Sequence, residues 1–184
     1  SGWKSPIYCD NRIALSYPKV RDFLSNVLSE KIKKDFGGSL VIAGVATGAI
    51  GIGMLVAQKL NLPFIYIRPE PKKHGKENQI EGKFTSGDRV VIIEDLISTG
   101  KSSLNAADAL KDSGAEILGM MGLFTYRFST AEEEFRKANI KLQTLCDYHH
   151  LLSEALKIGT ITEMQLESLK TWRDNPSAWI PKNH

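Results

Sequence analysis

At 184 residues and 20.4 kDa, the chain is long enough for one domain with a substantial core. Its net charge of +3 is too small and too scattered to argue for nucleic acid, and no apolar run is long enough to cross a bilayer. Cys9 and Cys146 make neither a disulfide framework nor a CxxC metal pair, and no basic and apolar leader with a small-residue cleavage site is recognised, so a reducing, cytoplasmic setting is expected. The sequence opens on Ser1 rather than methionine, so further native residues are expected ahead of it.

Residues 4–15 read as extended, with a turn at Asp10-Asn11. Ser16, Tyr17 and Pro18 open a helix, Pro18 standing at a first-turn position that tolerates its missing N–H. Val20, Phe23, Leu24, Val27, Leu28 and Ile32 recur at helical spacing and predict its buried face; Gly37-Gly38 stop it. From there strand and helix alternate. Strands are expected at 40–43, 64–67, 89–93, 117–124 and 141–145, with helices at 50–60, 102–110 and after Ser129. Ser129 with Glu132 has capping-box spacing, as does Thr162 with Gln165 in the second of two helices expected after Tyr148. Strands separated by helices imply an α/β fold whose parallel sheet is covered on both faces.

One connection breaks this rhythm. Residues 68–87 carry no apolar period but gather Arg68, Lys72, Lys73, His74, Lys76 and Lys83. Long loops in compact domains are uncommon and tend to be lids or binding loops, although a solvated surface loop explains the charge equally well. His149, His150 and His184 read as structural or surface histidines.

The chemistry is carried by residues 90–102. Val90, Val91, Ile92 and Ile93 lead into Glu94-Asp95, then Leu96 and Ile97, then Ser98-Thr99-Gly100-Lys101-Ser102 opening a helix. Ligands of open α/β sheets bind at the carboxyl ends of strands, where a turn's N–H groups and a helix N-terminus cradle anions. Gly100-Lys101-Ser102 resembles the end of a Walker A loop, but that loop needs glycine where Asp95 stands. Gly51-Ile52-Gly53 ends on Val56 instead of glycine, so the dinucleotide fingerprint fails too. A buried strand with a capped helix explains the apolar run and the hydroxyls. It does not explain adjacent carboxylates, which repel each other unless a ligand or cation is near.

This stretch resembles the phosphoribosyl pyrophosphate (PRPP) signature of type I phosphoribosyltransferases at all thirteen positions, 90–102. The resemblance implies that Glu94 and Asp95 contact the ribose hydroxyls. Leu96 and Ile97 then lead into a 5′-phosphate cradle of Ser98, Thr99, Gly100, Lys101 and Ser102. Three further segments resemble orotate phosphoribosyltransferases. Ser1-Gly2-Trp3-Lys4-Ser5-Pro6 is similar to an opening segment whose lysine, here Lys4, lies at the active site against PRPP and base. Arg68-Pro69-Glu70-Pro71-Lys72-Lys73-His74-Gly75 is similar to the family's mobile catalytic loop, which implies that Arg68, Lys72, Lys73 and His74 hold the PRPP. Arg127 takes the place of an arginine that pairs with orotate's carboxylate, a match suited to its planar fork, and Ser98 that of a hydroxyl contacting the base. Pro69 departs from a lysine found in some members, and Ala46-Thr47-Gly48 replaces a frequent Tyr-Lys at the pyrophosphate turn, leaving Thr47 and Gly48 as that turn's binding residues. The family's N-terminal helical segment has no counterpart here.

The resemblance implies a type I phosphoribosyltransferase-like parallel sheet with helices on both faces, plus a small hood from the terminal segments. One domain would span 1–184, with a core at about 37–147 and hood and flank from 1–36 and 148–184. The implied reaction joins orotate to PRPP, giving orotidine 5′-monophosphate and pyrophosphate in pyrimidine biosynthesis. Lys72, His74 and Arg68 would act on the departing pyrophosphate, with Mg²⁺ held through PRPP near Glu94 and Asp95 rather than by a dedicated protein cage. The family's homodimer, with its loop shared between subunits, is expected; nucleic acid and membrane are not. A phosphoribosyltransferase for a purine or uracil, a PRPP-binding regulator without turnover, and a generic α/β domain are the alternatives.

Overall fold

The computed structural model describes residues 4–38, 40–70 and 79–180. Their centre is a six-stranded sheet. In chain order the elements are a 3-10 helix Asn11–Ser16, α1 Pro18–Phe36, β1 Val41–Val45, α2 Gly48–Leu60, β2 Phe64–Ile67 and β3 Ile80–Glu81. Then come β4 Arg89–Ile97, α3 Lys101–Asp112, β5 Glu116–Thr125, α4 Ser129–Lys137, β6 Leu142–Asp147, α5 Tyr148–Lys157 and α6 Glu163–Asp174. The strand order is β3-β2-β1-β4-β5-β6, parallel throughout except for β3, which runs antiparallel to β2.

Alternation along the strands builds two cores. Val90 and Ile92 of β4, with Val41 and Ala43 of β1, pack toward α3 and α4 through Ala106, Leu110, Ala131 and Phe135. Val91, Ile93 and Ile42 pack toward α1 and α2 through Leu28, Ile32, Ile52 and Val56. A strand buried on both faces must be apolar at every position, which is why β1 and β4 read as continuous β-branched runs. A third cluster joins the chain's ends: Phe124, Tyr126 and Phe128 pack with Tyr148, Leu152, Leu169 and Trp172.

Four expectations change. The segment expected to be extended winds into the 3-10 helix because the Asp10 carboxylate accepts from the Arg12 N–H at 3.2 Å. On α1, Leu28 and Ile32 are fully buried, whereas Val20 and Phe23 stand 44% and 65% exposed; spacing defines an apolar stripe but not how far a neighbour covers it. The box expected from Ser129 and Glu132 does not form. Phe128 is the N-cap instead, fixed one residue earlier by its place in the aromatic cluster. The box of Thr162 and Gln165 forms as expected, with both hydrogen bonds made.

The fourth change positions the site. Strand β4 continues past Ile93 to Ile97, so the acidic pair lies within the strand. On one side β5 pairs with it as far as Ile97↔Thr125, while on the other the β1 ladder stops at Gly44↔Ile93. From Glu94 onward the β1 flank of β4 is therefore open. Here strand order reverses, the topological switch point at which open α/β sheets leave a crevice.

Candidate active site

Three turns meet at this crevice. After β1, the Ala46 N–H donates to the Ile67 carbonyl at 2.8 Å, the Ala46–Thr47 peptide is cis, and α2 starts at Gly48. The Asp95 carboxylate lies so close to Gly48 that a Cβ built there would sit 2.1 Å from Oδ2. Glycine is required by that approach, which brings the expected Thr47-Gly48 turn and acidic residue together.

Glu94 and Asp95, neighbours in a pleated strand, face opposite sides of the sheet. Glu94 turns toward α3 and is 4% exposed; its Oε2 accepts from the Ser103 hydroxyl at 2.8 Å and its Oε1 from the Asp95 N–H at 3.0 Å. Burial, together with the adjacent Asp95, pushes its carboxyl up to about 8. Asp95 faces the α2 side and borders the crevice.

Beyond β4, Ser98, Thr99 and Gly100 turn the chain into α3. Gly100 adopts φ +82°, a conformation that suits glycine, and a Cβ there would meet the Phe135 ring at 2.9 Å. No side chain caps α3. The turn expected to cradle an anion therefore presents the first N–H groups of α3 beside the hydroxyls of Ser98, Thr99 and Ser102. Lys101 is exposed on the first turn of α3.

The facing wall was invisible in the sequence. Tyr8, Asp10 and Arg12 line a cleft of about 340 Å³ shared with the Thr47-Gly48 turn, the acidic pair and the cradle. Asn11 fastens this wall, its side-chain amide donating to the Asp95 carbonyl at 2.7 Å. Beside the cleft lies an aromatic slot of about 200 Å³, lined by Tyr126, Phe128 and Trp172 together with Ser5 and Ile7. Tyr8, Cys9, Leu96 and Ser98 border both spaces, so Ser98 stands where cradle and slot meet. Tyr126 stacks on Phe128 at 5.3 Å, Trp172 meets both edge-on, and the Trp172 indole N–H donates to the Lys4 carbonyl at 3.0 Å. That bond holds the opening segment at the slot through the Lys4 backbone, its side chain exposed.

Arg127 sits apart from the other expected site residues. It follows β5 with φ +55°, its Nε lies 3.2 Å from Asp147, and its side chain borders another cavity with Ser129, Thr130 and Arg173. Phe128 separates the two, bordering both that cavity and the slot. Arg173 donates to the carbonyls of Tyr126 and Arg127, fixing the backbone there. Burial pushes the Asp147 carboxyl up, but hydrogen bonds from the His150 N–H and ring, with the Arg127 charge, outweigh it and hold the group below its usual range.

The charged loop leaves the sheet beside the Thr47-Gly48 turn. The short strand β3, absent from the sequence reading, pairs Tyr66↔Glu81 and Ile67↔Ile80 and so clasps the loop's base. The Arg68 N–H donates to the Gln79 carbonyl at 2.9 Å, and Arg68 Nη1 lies 3.6 Å from Glu81. Lys72, Lys73 and His74 lie outside the described residues.

A profile of the phosphoribosyl transferase domain matches residues 12–147. The orotate phosphoribosyltransferase of Porphyromonas gingivalis is 51% identical over 179 residues, 97% of this chain and 85% of that one. Among solved structures, the orotate phosphoribosyltransferase of Aeropyrum pernix is 27% identical with a TM-score of 0.75, covering 88% of each chain. The UMP synthase of Leishmania donovani is 30% identical with a TM-score of 0.80 over 94% of this chain, which spans 37% of that longer protein. The chain therefore belongs to the phosphoribosyltransferase family, among its orotate phosphoribosyltransferases.

Proposed function

We propose that the protein transfers the 5-phosphoribosyl group of PRPP to orotate, releasing pyrophosphate and forming orotidine 5′-monophosphate. The observation that carries this reading is the junction at Ser98, where the polar cleft meets the aromatic slot. A flat base in the slot lies next to a ribose over Asp95, with its 5′-phosphate on the turn 98–102. Both reactants are then held within one crevice, and the reaction gains most of what orientation provides.

Breaking the bond between C1′ and the diphosphate builds positive charge on the ribose and negative charge on the leaving group. Asp95 faces the ribose, while Glu94 borders the cleft and ties β4 to Ser103. Thr47 and Gly48 offer backbone donors to the pyrophosphate, joined by Arg68, Lys72, Lys73 and His74 when the loop closes. Lys4 and Arg127 answer the negative charge of PRPP and orotate. Arg127 does so by exchanging Asp147 for the substrate's carboxylate. Among the described residues no cluster of three metal-ligating side chains is present, and both Glu94 oxygens already accept hydrogen bonds. These residues fit Mg²⁺ carried by the substrate's oxygens beside Asp95, where the ion would supply charge neutralisation. We further propose a cytoplasmic homodimer in which the loop serves the neighbouring site; no helix among the described residues is long and apolar enough to cross a membrane.

The test is to mix the protein with PRPP, Mg²⁺ and a panel of orotate, uracil, adenine and guanine while following pyrophosphate release. Orotate alone should support release, and EDTA should abolish it. Release with another base and none with orotate would overturn the reading.

A further inference from the structure

The cleft presents a charge problem. Its described lining holds three carboxylates, Asp10, Glu94 and Asp95, yet the substrate class it fits carries a phosphate and a pyrophosphate. Among the described residues of that lining, Arg12 is the one cationic side chain.

Arg12 is held in a set pose. Its Nε and Nη2 donate to the two oxygens of Asp10 at 2.6 and 3.0 Å, and Nη2 also meets the Tyr8 hydroxyl at 3.1 Å. Such a two-pronged pairing fixes the plane of the guanidinium, so less freedom is lost when a ligand arrives. Nη1 has no partner among the described residues.

The surroundings say which anion it meets. Asn11 binds the Asp95 carbonyl, and Leu15 packs on Gly51, where an added Cβ would come within 2.9 Å of its side chain. The 3-10 helix therefore spans from the acidic strand to the first turns of α2, on the α2 face of the sheet. The 5′-phosphate cradle opens α3, whose packing is on the opposite face. Arg12 consequently shares its side of the cleft with the Thr47-Gly48 turn.

We propose that Arg12 is a further ligand of the substrate's pyrophosphate, with Asp10 and Tyr8 as its positioning residues. The inference rests on the phosphoribosyl-transfer reading and extends it to a wall of the site contributed by the opening segment. Arg12 stays protonated throughout; it transfers no proton and supplies a charged donor to oxygens whose negative charge rises as the bond to C1′ breaks.

The test is calorimetric titration of the full chain with inorganic pyrophosphate and Mg²⁺, alongside steady-state kinetics and melting curves, for wild type, Arg12→Gln, Arg12→Lys and Asp10→Asn. Arg12→Gln should weaken pyrophosphate binding and raise the KM for PRPP, each about tenfold, while the KM for orotate stays within about twofold. Arg12→Lys should recover part of the loss, as a point charge without the fork. Asp10→Asn keeps both cap and cation but loosens the fork, and should weaken pyrophosphate binding by about threefold, less than Arg12→Gln does. Pyrophosphate binding by Arg12→Gln within about twofold of wild type overturns the proposal. So does a match between Arg12→Gln and Asp10→Asn in every measurement, since the ion pair would then only brace the 3-10 helix. A wild-type protein that neither binds pyrophosphate nor turns over orotate sinks the broader reading as well.

Discussion

Replacing Glu94 with glutamine separates what the acidic pair does for the fold from what it does for a ligand. In the unfolded chain this carboxyl ionises near 4.5, whereas in the fold it keeps its proton up to about 8, because it is buried beside Asp95. Below about pH 4.5 both states hold the proton, and the group costs nothing. Above that, folding must take up a proton, so stability falls by about 1.4 kcal/mol per pH unit. The loss reaches about 3 kcal/mol near pH 7 and levels off at about 5 kcal/mol as pH rises through the folded value of about 8. Glutamine keeps the size and can still bond the Ser103 hydroxyl and the Asp95 N–H, but does not titrate. Glu94→Gln should therefore melt above wild type by about 6–12 °C near pH 7, at about 2–4 °C per kcal/mol for a chain of 184 residues. The gap should close near pH 4.5, and PRPP turnover should be weaker throughout. Melting curves in half-unit steps from about pH 4.5 to 9, without ligand or Mg²⁺, are the assay. A gap that does not widen with pH would refute the reasoning.

Gly48→Ala should displace the Asp95 carboxylate, raising the KM for PRPP about tenfold and costing about 1–3 kcal/mol of stability. Unaltered kinetics would show that the contact is incidental. Arg127→Ala should raise the KM for orotate about three- to thirtyfold, below the full value of a charged hydrogen bond because Asp147 must be given up first. An effect confined to PRPP would remove Arg127 from the base site. For the shared loop, Lys72→Ala and Asp95→Asn should each be nearly inactive, yet mixing them after subunit exchange should restore activity in about a quarter of the sites. Exchange without recovery would mean that the loop serves its own chain.

Most of the sheet was legible, because β1 and β4 are buried on both faces and carry unbroken β-branched runs. The acidic pair and the turn 98–102 were legible because nothing in strand packing calls for Glu94-Asp95 or for a left-handed Gly100. Other features depend on distant partners. The extent of β4 beyond Ile93 is set by its ladder with β5, and the two residues of β3 form a strand only because β2 lies beside them. Asp10-Asn11 read only as a turn and Arg12 carried no local signal, since the importance of Asn11 and Arg12 comes from the Asp95 carbonyl and Asp10. The aromatic slot drew on Tyr126, Phe128 and Trp172, whose separation in the sequence gives no local pattern. Its one signal was the alternation of Tyr126 and Phe128 just past β5.

The hydrogen bond from Trp172 to Lys4 sets an order of assembly during synthesis. Every strand of the sheet, the turn after β1 and the turn that opens α3 have been synthesised by the time Asp147 has been added. The slot has by then every side but one: the opening segment, Leu96 with Ser98, and the pair Tyr126 and Phe128. Its last wall and the bond that holds the opening segment in place arrive with Trp172. A nascent chain thus holds all the residues of its polar cleft first and closes its aromatic slot last. A product cut short within α6 ahead of Trp172 would retain the sheet and the polar cleft, with the aromatic slot open on one side and the opening segment untied.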